Sequence, residues 1–395
     1  MVQSALFWLV LAVAVAGNWA LPPARRPYWL VAISTAYLLS LDAVGVAPLL
    51  GWIGVVWALR RRVAATPALG NWVVIGLVGS LILQLAYFKY LPPLLSLFSE
   101  GPARAVVVPL GISFITFRLI HYVIETRRGT LAHHGLWDYL SWATLFTIWT
   151  AGPIERFDHF LSQRRANLTQ AMVAEGLTRI ILGLGKKFVL GLQLVPLAFG
   201  EVSTPDGFLA ALPHLSTFEA WRYLIVSFFL FYLDFSAYSD IAIGSSRLLG
   251  LGIMENFNWP ILAPNPGVYW KRWHMTLSGW CQSYVYMPVI GLTRNPYHAV
   301  FASFACIGLW HAGSWTWLAW GLYHAVAVTL YQTWARFRRK QDWPWLEQGW
   351  LRVPAALAVI CYTSVPQGFT LIQGIGVPYD GLRILAKLVF VNLPA

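Results

Sequence analysis

The sequence predicts an all-α, polytopic membrane protein, and three observations carry that reading. Of its 395 residues, 58% are hydrophobic and only 11% are charged, whereas soluble domains carry about 25% charged residues. The 22 tryptophans suit membrane–water interfaces, where the indole ring concentrates. Apolar stretches recur along the whole chain, many near the length of about 20 residues that crosses hydrocarbon as a helix.

In order, these stretches are 5–21, 28–41, 44–59, 71–97, 105–126, 136–153, 176–199, 219–250, 297–312, 315–335 and 352–372, with a last apolar run at 381–392. They predict about ten to twelve transmembrane or re-entrant helices in a single integral-membrane domain over 1–395. The first stretch is read as a retained span, since no Lys or Arg precedes its apolar core as a secretory leader requires. The stretches 28–41 and 44–59 are short for full crossings. No internal repeat, low-complexity tract or linker divides the chain.

The net charge is +12, and the cations cluster between apolar stretches: Arg25-Arg26, Arg60-Arg61-Arg62, Arg127-Arg128, Arg164-Arg165 and Arg338-Arg339-Lys340. Such runs read as cytoplasmic anchors and as contacts with anionic lipid head groups. No separate basic–aromatic module supports a nucleic-acid partner. If 28–41 and 44–59 cross separately, Arg25-Arg26 and Arg60–Arg62 share one side. A crossing at 136–153 would then place Arg164-Arg165 on the opposite side from the other runs, so a re-entrant segment is expected there.

The stretch 251–296 is too polar for lipid and too aromatic for a free loop; it holds Asn256, Asn258, Asn265 and the Trp-rich Tyr269–Ser278. A broken or re-entrant helix buried by other spans fits it. If Lys271–Ser278 is helical, Lys271, His274 and Ser278 share one face and Trp270, Trp273 and Leu277 another. That polar stripe suits a hydrated tunnel; the alternative is an interfacial helix with snorkelling cations and aromatic anchors.

Ionisable side chains inside a membrane are costly and mark functional sites by default. His311, after Trp310 at the end of an apolar stretch, is the first such group. A neutral imidazole can act as general base toward a hydroxyl; its other role would be a hydrogen bond between helices. His274 is the second. Asp234 and Asp240 flank Phe235-Ser-Ala-Tyr-Ser239 in another apolar stretch, and Arg118 and His121 lie one turn apart. Asp234, Asp240 and Arg118 are read as a structural polar network, with a proton or cation pathway as the competing reading. His133, His134, His159, His214 and His298 are assigned to loops, and His324 to packing. Cys281, Cys306 and Cys361 lack CxxC spacing and read as small core residues. Metal, nucleotide and serine-hydrolase motifs are missing, so no metal site is expected.

Six segments in one order bear a family resemblance: Pro109–Phe117, Ala151–Phe157, Asp234–Asp240, Glu255–Pro260, Tyr269–Ser278 and Gly308–Gly313. Together they resemble the membrane-bound O-acyltransferase (MBOAT) family, in its bacterial branch of alginate O-acetylation and lipoteichoic-acid D-alanyl transfer proteins. The resemblance covers 105–325, taken as the catalytic core between peripheral spans at 1–100 and C-terminal spans at 326–395.

The resemblance implies a ring of tilted spans around a central tunnel in a bacterial inner membrane. It implies transfer of a short acyl group, with acetyl expected, from a cytoplasmic thioester donor to a hydroxyl of an envelope polysaccharide or a relay protein. D-alanyl transfer to a teichoic-acid-like polymer and a proton-coupled transporter are the alternatives. The donor would be acetyl-coenzyme A or an acyl-phosphopantetheine carrier, with no tightly bound cofactor. Partners would be that donor, the envelope polymer or an extracytoplasmic acyltransferase, and membrane lipids. The family's essential histidine falls on His311 as catalytic base, and its second polar position on His274. Lys271, Arg272, Trp273, Trp310, Asn258 and Ser278 are expected to contact substrates. The chain departs from the family pattern at Gln282-Ser283, where relatives carry Arg-Asp, and at Ala312, where they carry Gly.

Overall fold

The computed structural model describes residues 2–92, 107–200, 202–341, 343, 349–371 and 378–393. Among the described residues the regular structure is helical, apart from one antiparallel bridge between Arg164 and Leu251. Residues 93–106, which hold the end of the predicted 71–97 span and the start of 105–126, lie outside them. Among the described residues, four helical stretches are long and apolar enough to cross a membrane: Pro23–Val63, Pro67–Lys89, Gln170–Phe199 and Thr217–Leu248. The chain forms two compact units, one of Met1–Gly183 with Tyr238–Glu255, the other of Leu184–Ala237 with Asn256–Ala395.

The first unit begins with α1 (Ala5–Ala20) and α2 (Arg26–Val63). A straight helix of 38 residues would be about 57 Å long. Yet Tyr28 packs on Trp137 and Trp57 stacks on Tyr139, two residues further on. The helix therefore folds back on itself. The reversal is at Asp42, whose backbone leaves the helical region (φ −157°, ψ 79°). Its carboxylate caps the second arm, accepting from the Gly45 N–H, and also accepts from the N–H of Leu110. The predicted pair 28–41 and 44–59 is thus two arms of one hairpin.

Next come α3 (Pro67–Lys89) and α4 (Ile112–Arg128). The Arg127 guanidinium donates to the carbonyls of Val63, Ala65 and Pro67, fastening the end of α4 beside the end of α2. The predicted crossing at 136–153 does not form. Its place is taken by α5 (Leu136–Ala143), of 8 residues, and a single 3-10 turn at Phe146–Ile148. Asp138, in the first turn of α5, accepts from Arg164 at 2.6 Å, so the segment leaves and returns on the same side. Its polar backbone is buried among Trp142, Trp149 and Phe157, where protein and not lipid surrounds it. Arg26 donates to Ala166 O as well. The four basic runs at 25–26, 60–62, 127–128 and 164–165 therefore gather on one face.

The unit closes with α6 (Phe157–Ser162), α7 (Gln170–Leu184) and the end of α9 (Thr217–Leu248). Arg179 on α7 bridges Asp240 at 3.1 Å and Glu255 at 2.6 Å, and Arg247 pairs with Glu175 at 2.7 Å.

The second unit opens with a π-helical stretch, Gly185–Leu194, which buries Lys187. After α8 (Pro205–Ala211), the start of α9 packs on α17 (Pro378–Leu388) through a core of Phe199, Phe208, Tyr223, Leu224, Ile384 and Leu388. Short helices α10 (Pro266–Trp270), α11 (Met275–Cys281) and α12 (Met287–Thr293) come next in the chain, and then the pair α13 (Pro296–His311) and α14 (Trp315–Arg338). The predicted 352–372 span is interrupted. It forms α15 (Arg352–Ser364) and α16 (Gln367–Leu371), with Pro366 between them unable to supply a helical N–H.

Candidate active site

The α13–α14 crossing sets the position of His311. A Cβ on Gly308 would lie 2.3 Å from the Trp317 carbonyl oxygen, and one on Gly321 would lie 2.3 Å from that of Phe304. The two backbones therefore touch, as small residues permit between membrane helices. The connection is three residues long, and Ser314 caps α14 through the Trp317 N–H. So tight a return lays the His311 ring on Trp317 (centroids 4.5 Å, interplanar 21°), with Trp320 edge-on at 5.5 Å. As the last residue of α13, the imidazole also sits at the negative end of the helix dipole, which favours positive charge there.

His274 is placed by a different device. Asn265 caps α10, which ends at Trp270. The chain then takes a left-handed conformation at His274 (φ 41°, ψ 54°) before α11 begins. A continuous helix through Lys271–Ser278 is therefore corrected: Lys271, His274 and Ser278 do not form a stripe. A non-glycine residue at positive φ is held by its surroundings, and here Asn256 does the holding. Its carbonyl accepts from Met275 N at 2.9 Å. Its side-chain oxygen accepts from Thr276 Oγ1 and from His274 Nδ1, both at 2.9 Å. That pattern puts the ring proton on Nδ1. Nε2 keeps a lone pair, and it is buried with no hydrogen-bond partner among the described residues. Phe235 meets the same ring edge-on at 4.7 Å.

His274 and His311 open onto one cavity of about 250 Å³. Trp310 lies beside both, its ring 6.1 Å from His274 and 4.8 Å from His311. Phe228, Phe231, Phe235, Trp273, Trp317 and Trp320 form aromatic walls, and Ser227, Thr363, Gln367 and Thr370 supply a polar one. His324 lines it too, its Nδ1 hydrogen-bonded to the Tyr362 hydroxyl and its ring 4.5 Å from Trp320.

Several residues placed at the site by sequence stand elsewhere. Lys271 is exposed and Arg272 half-buried, and neither lines the cavity. Asn258 is exposed and donates its backbone N–H to the Arg272 carbonyl. Ser278 Oγ donates to Trp273 O. Trp273 is in the wall. Asp234 pairs with Lys187 in the second unit, and Asp240 pairs with Arg179 in the first. Arg118 is fully buried with its guanidinium over Trp142 at 4.8 Å. Cys306 is not among the lining residues. Sequence reasoning missed Asn256, Thr363, Gln367 and Thr370 as site residues, and assigned His324 to packing alone.

A helical membrane protein with two histidines at an enclosed aromatic cavity defines the class. Residues 58–367 match the model of the MBOAT, membrane-bound O-acyltransferase family, and the chain belongs to that family. It is 34% identical to a protein named probable alginate O-acetylase from Pseudomonas aeruginosa, over 71% of this chain and 54% of that one. It is 29% identical to the teichoic acid D-alanyltransferase of Bacillus subtilis, over 69% of this chain and 71% of that one. Against the peptidoglycan O-acetyltransferase of Helicobacter pylori it is 29% identical, over 68% of this chain and 56% of that one. The chain thus spans about half the length of the alginate-type relatives it matches.

Proposed function

We propose that this protein is an O-acyltransferase of a bacterial inner membrane, moving an acetyl group from a thioester donor to a hydroxyl of an envelope polysaccharide or of a relay protein. The observation that carries the reading is the meeting of His274 and His311, from separate segments, on one enclosed cavity. Family membership and relatives named as O-acetylases or D-alanyltransferases support it.

His311 is the base. It takes the proton of the acceptor hydroxyl as that oxygen attacks the thioester carbonyl. The carbon–sulfur bond then breaks, and His311 returns the proton to the departing thiolate. General-base assistance of this kind contributes roughly 10²–10⁴ in rate. His274 positions the reactants. With Nδ1–H committed to Asn256, its Nε2 can accept a hydrogen bond but has none to give. A role as donor to the developing oxyanion therefore has less support than the positioning role.

One feature favours acetyl over D-alanyl: the described lining of the cavity holds no carboxylate. A D-alanyl group carries an ammonium, and burying one without a counter-charge costs several kcal/mol, of which aromatic walls recover only part. The donor is coenzyme A or a phosphopantetheine carrier. The test is His311→Gln assayed in membranes for acyl groups on the envelope polymer. At matched protein levels, acylation should fall about 100-fold or more; unchanged acylation would remove the proposal.

A further inference from the structure

On the basic face of the first unit, the runs at 25–26 and 164–165 contribute to a pocket of about 400 Å³ that the acyl-transfer reading does not use. Leu30, Phe160 and Leu249 give it an apolar floor, and Arg26, Arg164 and Arg165 line its wall with Asp138. The aspartate is already committed. Its Oδ1 accepts from Arg164 and its Oδ2 from the Gly135 N–H. Two cations remain without a carboxylate among the described residues. Arg26 is half-buried and rigidly held: Nε donates to Leu21 O, one terminal nitrogen donates to Ala166 O, and the guanidinium lies 4.5 Å over Trp19. Arg165 is anchored by its backbone N–H to Gly250 O, which leaves its side chain exposed at the pocket. A guanidinium fixed by carbonyls and an indole, with donors left over, is preorganised for an oxyanion, and two together suit a phosphate ester.

We propose that this pocket binds a phosphate ester, its charged oxygens on Arg26 and Arg165 and its apolar portion on Leu30 and Phe160. Two sources present that chemistry: the head group of an anionic glycerophospholipid, and the phosphates of a coenzyme-A-type molecule. A pocket on the basic face of a membrane protein meets the first directly. The proposal stands whether or not the cavity at His311 transfers acyl groups.

The test uses the full chain in phosphatidylcholine nanodiscs, with native mass spectrometry counting retained phosphatidylglycerol. The wild type should retain phosphatidylglycerol over phosphatidylcholine. Arg26→Gln and Arg165→Gln should each weaken retention roughly fivefold, while Arg62→Gln, on the same face but outside the pocket, should leave it unchanged. Addition of coenzyme A then separates the sources. Displacement of the lipid assigns the pocket to nucleotide phosphates, and persistence of the lipid assigns it to a head group. Arg26 also braces the local backbone, so if Arg26→Gln fails to fold, Arg165→Gln decides alone. Absence of any preference for the anionic lipid together with no retained coenzyme A, or an equal loss with Arg62→Gln, overturns the proposal.

Discussion

Two aromatic clusters in this molecule each surround histidines, and they use them in opposite ways. In the first unit, Trp57, Tyr122, Tyr139, Trp142 and Phe157 pack edge and face around His134 and His121. The Nε2 atom of each imidazole is tied. The Tyr122 hydroxyl meets His134 Nε2 at 2.8 Å, and His121 Nε2 accepts the Phe157 N–H at 3.0 Å. In the second unit the walls are just as aromatic, but they enclose space, and one imidazole nitrogen of His274 is left without a partner. Burial beside tryptophan therefore does not mark a site histidine. Lining an open cavity is what sets His274 and His311 apart.

The sharpest way to break this contrast is to exchange the same residue type in both clusters. His311→Gln should abolish most acylation while leaving the thermal midpoint near wild type. His121→Gln should do the reverse, destabilising by about 1–3 kcal/mol through the lost buried partner of Phe157 N–H while sparing activity per folded molecule. Comparable loss of activity from both would dissolve the distinction.

Next in size is Gly308→Ala. The added methyl would drive against the Trp317 carbonyl, and overpacking of that kind costs roughly 1–3 kcal/mol. The displaced α13–α14 turn should move His311 off Trp317, so turnover should drop tenfold or so in protein that still inserts and folds. Gly291→Ala, where no atom lies near the added carbon, is the matched control. Normal turnover in Gly308→Ala would mean that the crossing does not position the base.

A smaller effect is expected from Asn256→Ala. It strips the acceptor from both His274 Nδ1–H and the Thr276 hydroxyl, which frees the imidazole to change tautomer. Turnover should fall less than for His311→Gln, with the acceptor's KM rising. Loss of turnover at constant KM would instead give His274 a direct role in the chemistry.

The smallest concerns the turn after α5, outside the long apolar helices. Burial pushes the Glu155 carboxyl up, and hydrogen bonds from His159 and the Met254 N–H pull it back. The hydrogen bond to Glu155 holds the His159 imidazole above its usual value, against a smaller burial penalty. The exposed partner governs the sign. Stabilisation from His159 is complete below the pKa of the unfolded histidine and is lost as pH rises through the folded one. The thermal-midpoint gap between wild type and His159→Gln should therefore narrow from mildly acidic to alkaline pH. A gap that is constant, or widens, contradicts the pairing.

Most of the apolar helices were legible because hydropathy is a local property. Asp42 and its neighbours already separated the two arms of α2 in the sequence, although only contacts with α5 reveal that they fold back. The 136–153 stretch misled in the other direction. It is apolar enough for lipid, but its hydrophobic side chains face protein, and composition does not distinguish those surroundings. His274 and His311 stood out as ionisable groups beside tryptophan in apolar sequence. The left-handed turn at His274 was invisible, since it depends on Asn256, 18 residues earlier, folding back onto it. Thr363, Gln367 and Thr370 were hidden for a similar reason: they read as incidental hydroxyl and amide groups in a plain span until the break at Pro366 turns that stretch into two short helices.

The contact of main chain on main chain at Gly308 and Gly321 has a practical corollary. The His311 ring is aimed by the course of the polypeptide itself, whereas Phe231, Phe235 and Leu371 merely fence the chamber in front of it. Those fences can be whittled or thickened to admit bulkier or slimmer cargo without re-aiming the imidazole. A scaffold so divided separates the size of the chamber from the direction in which the imidazole points.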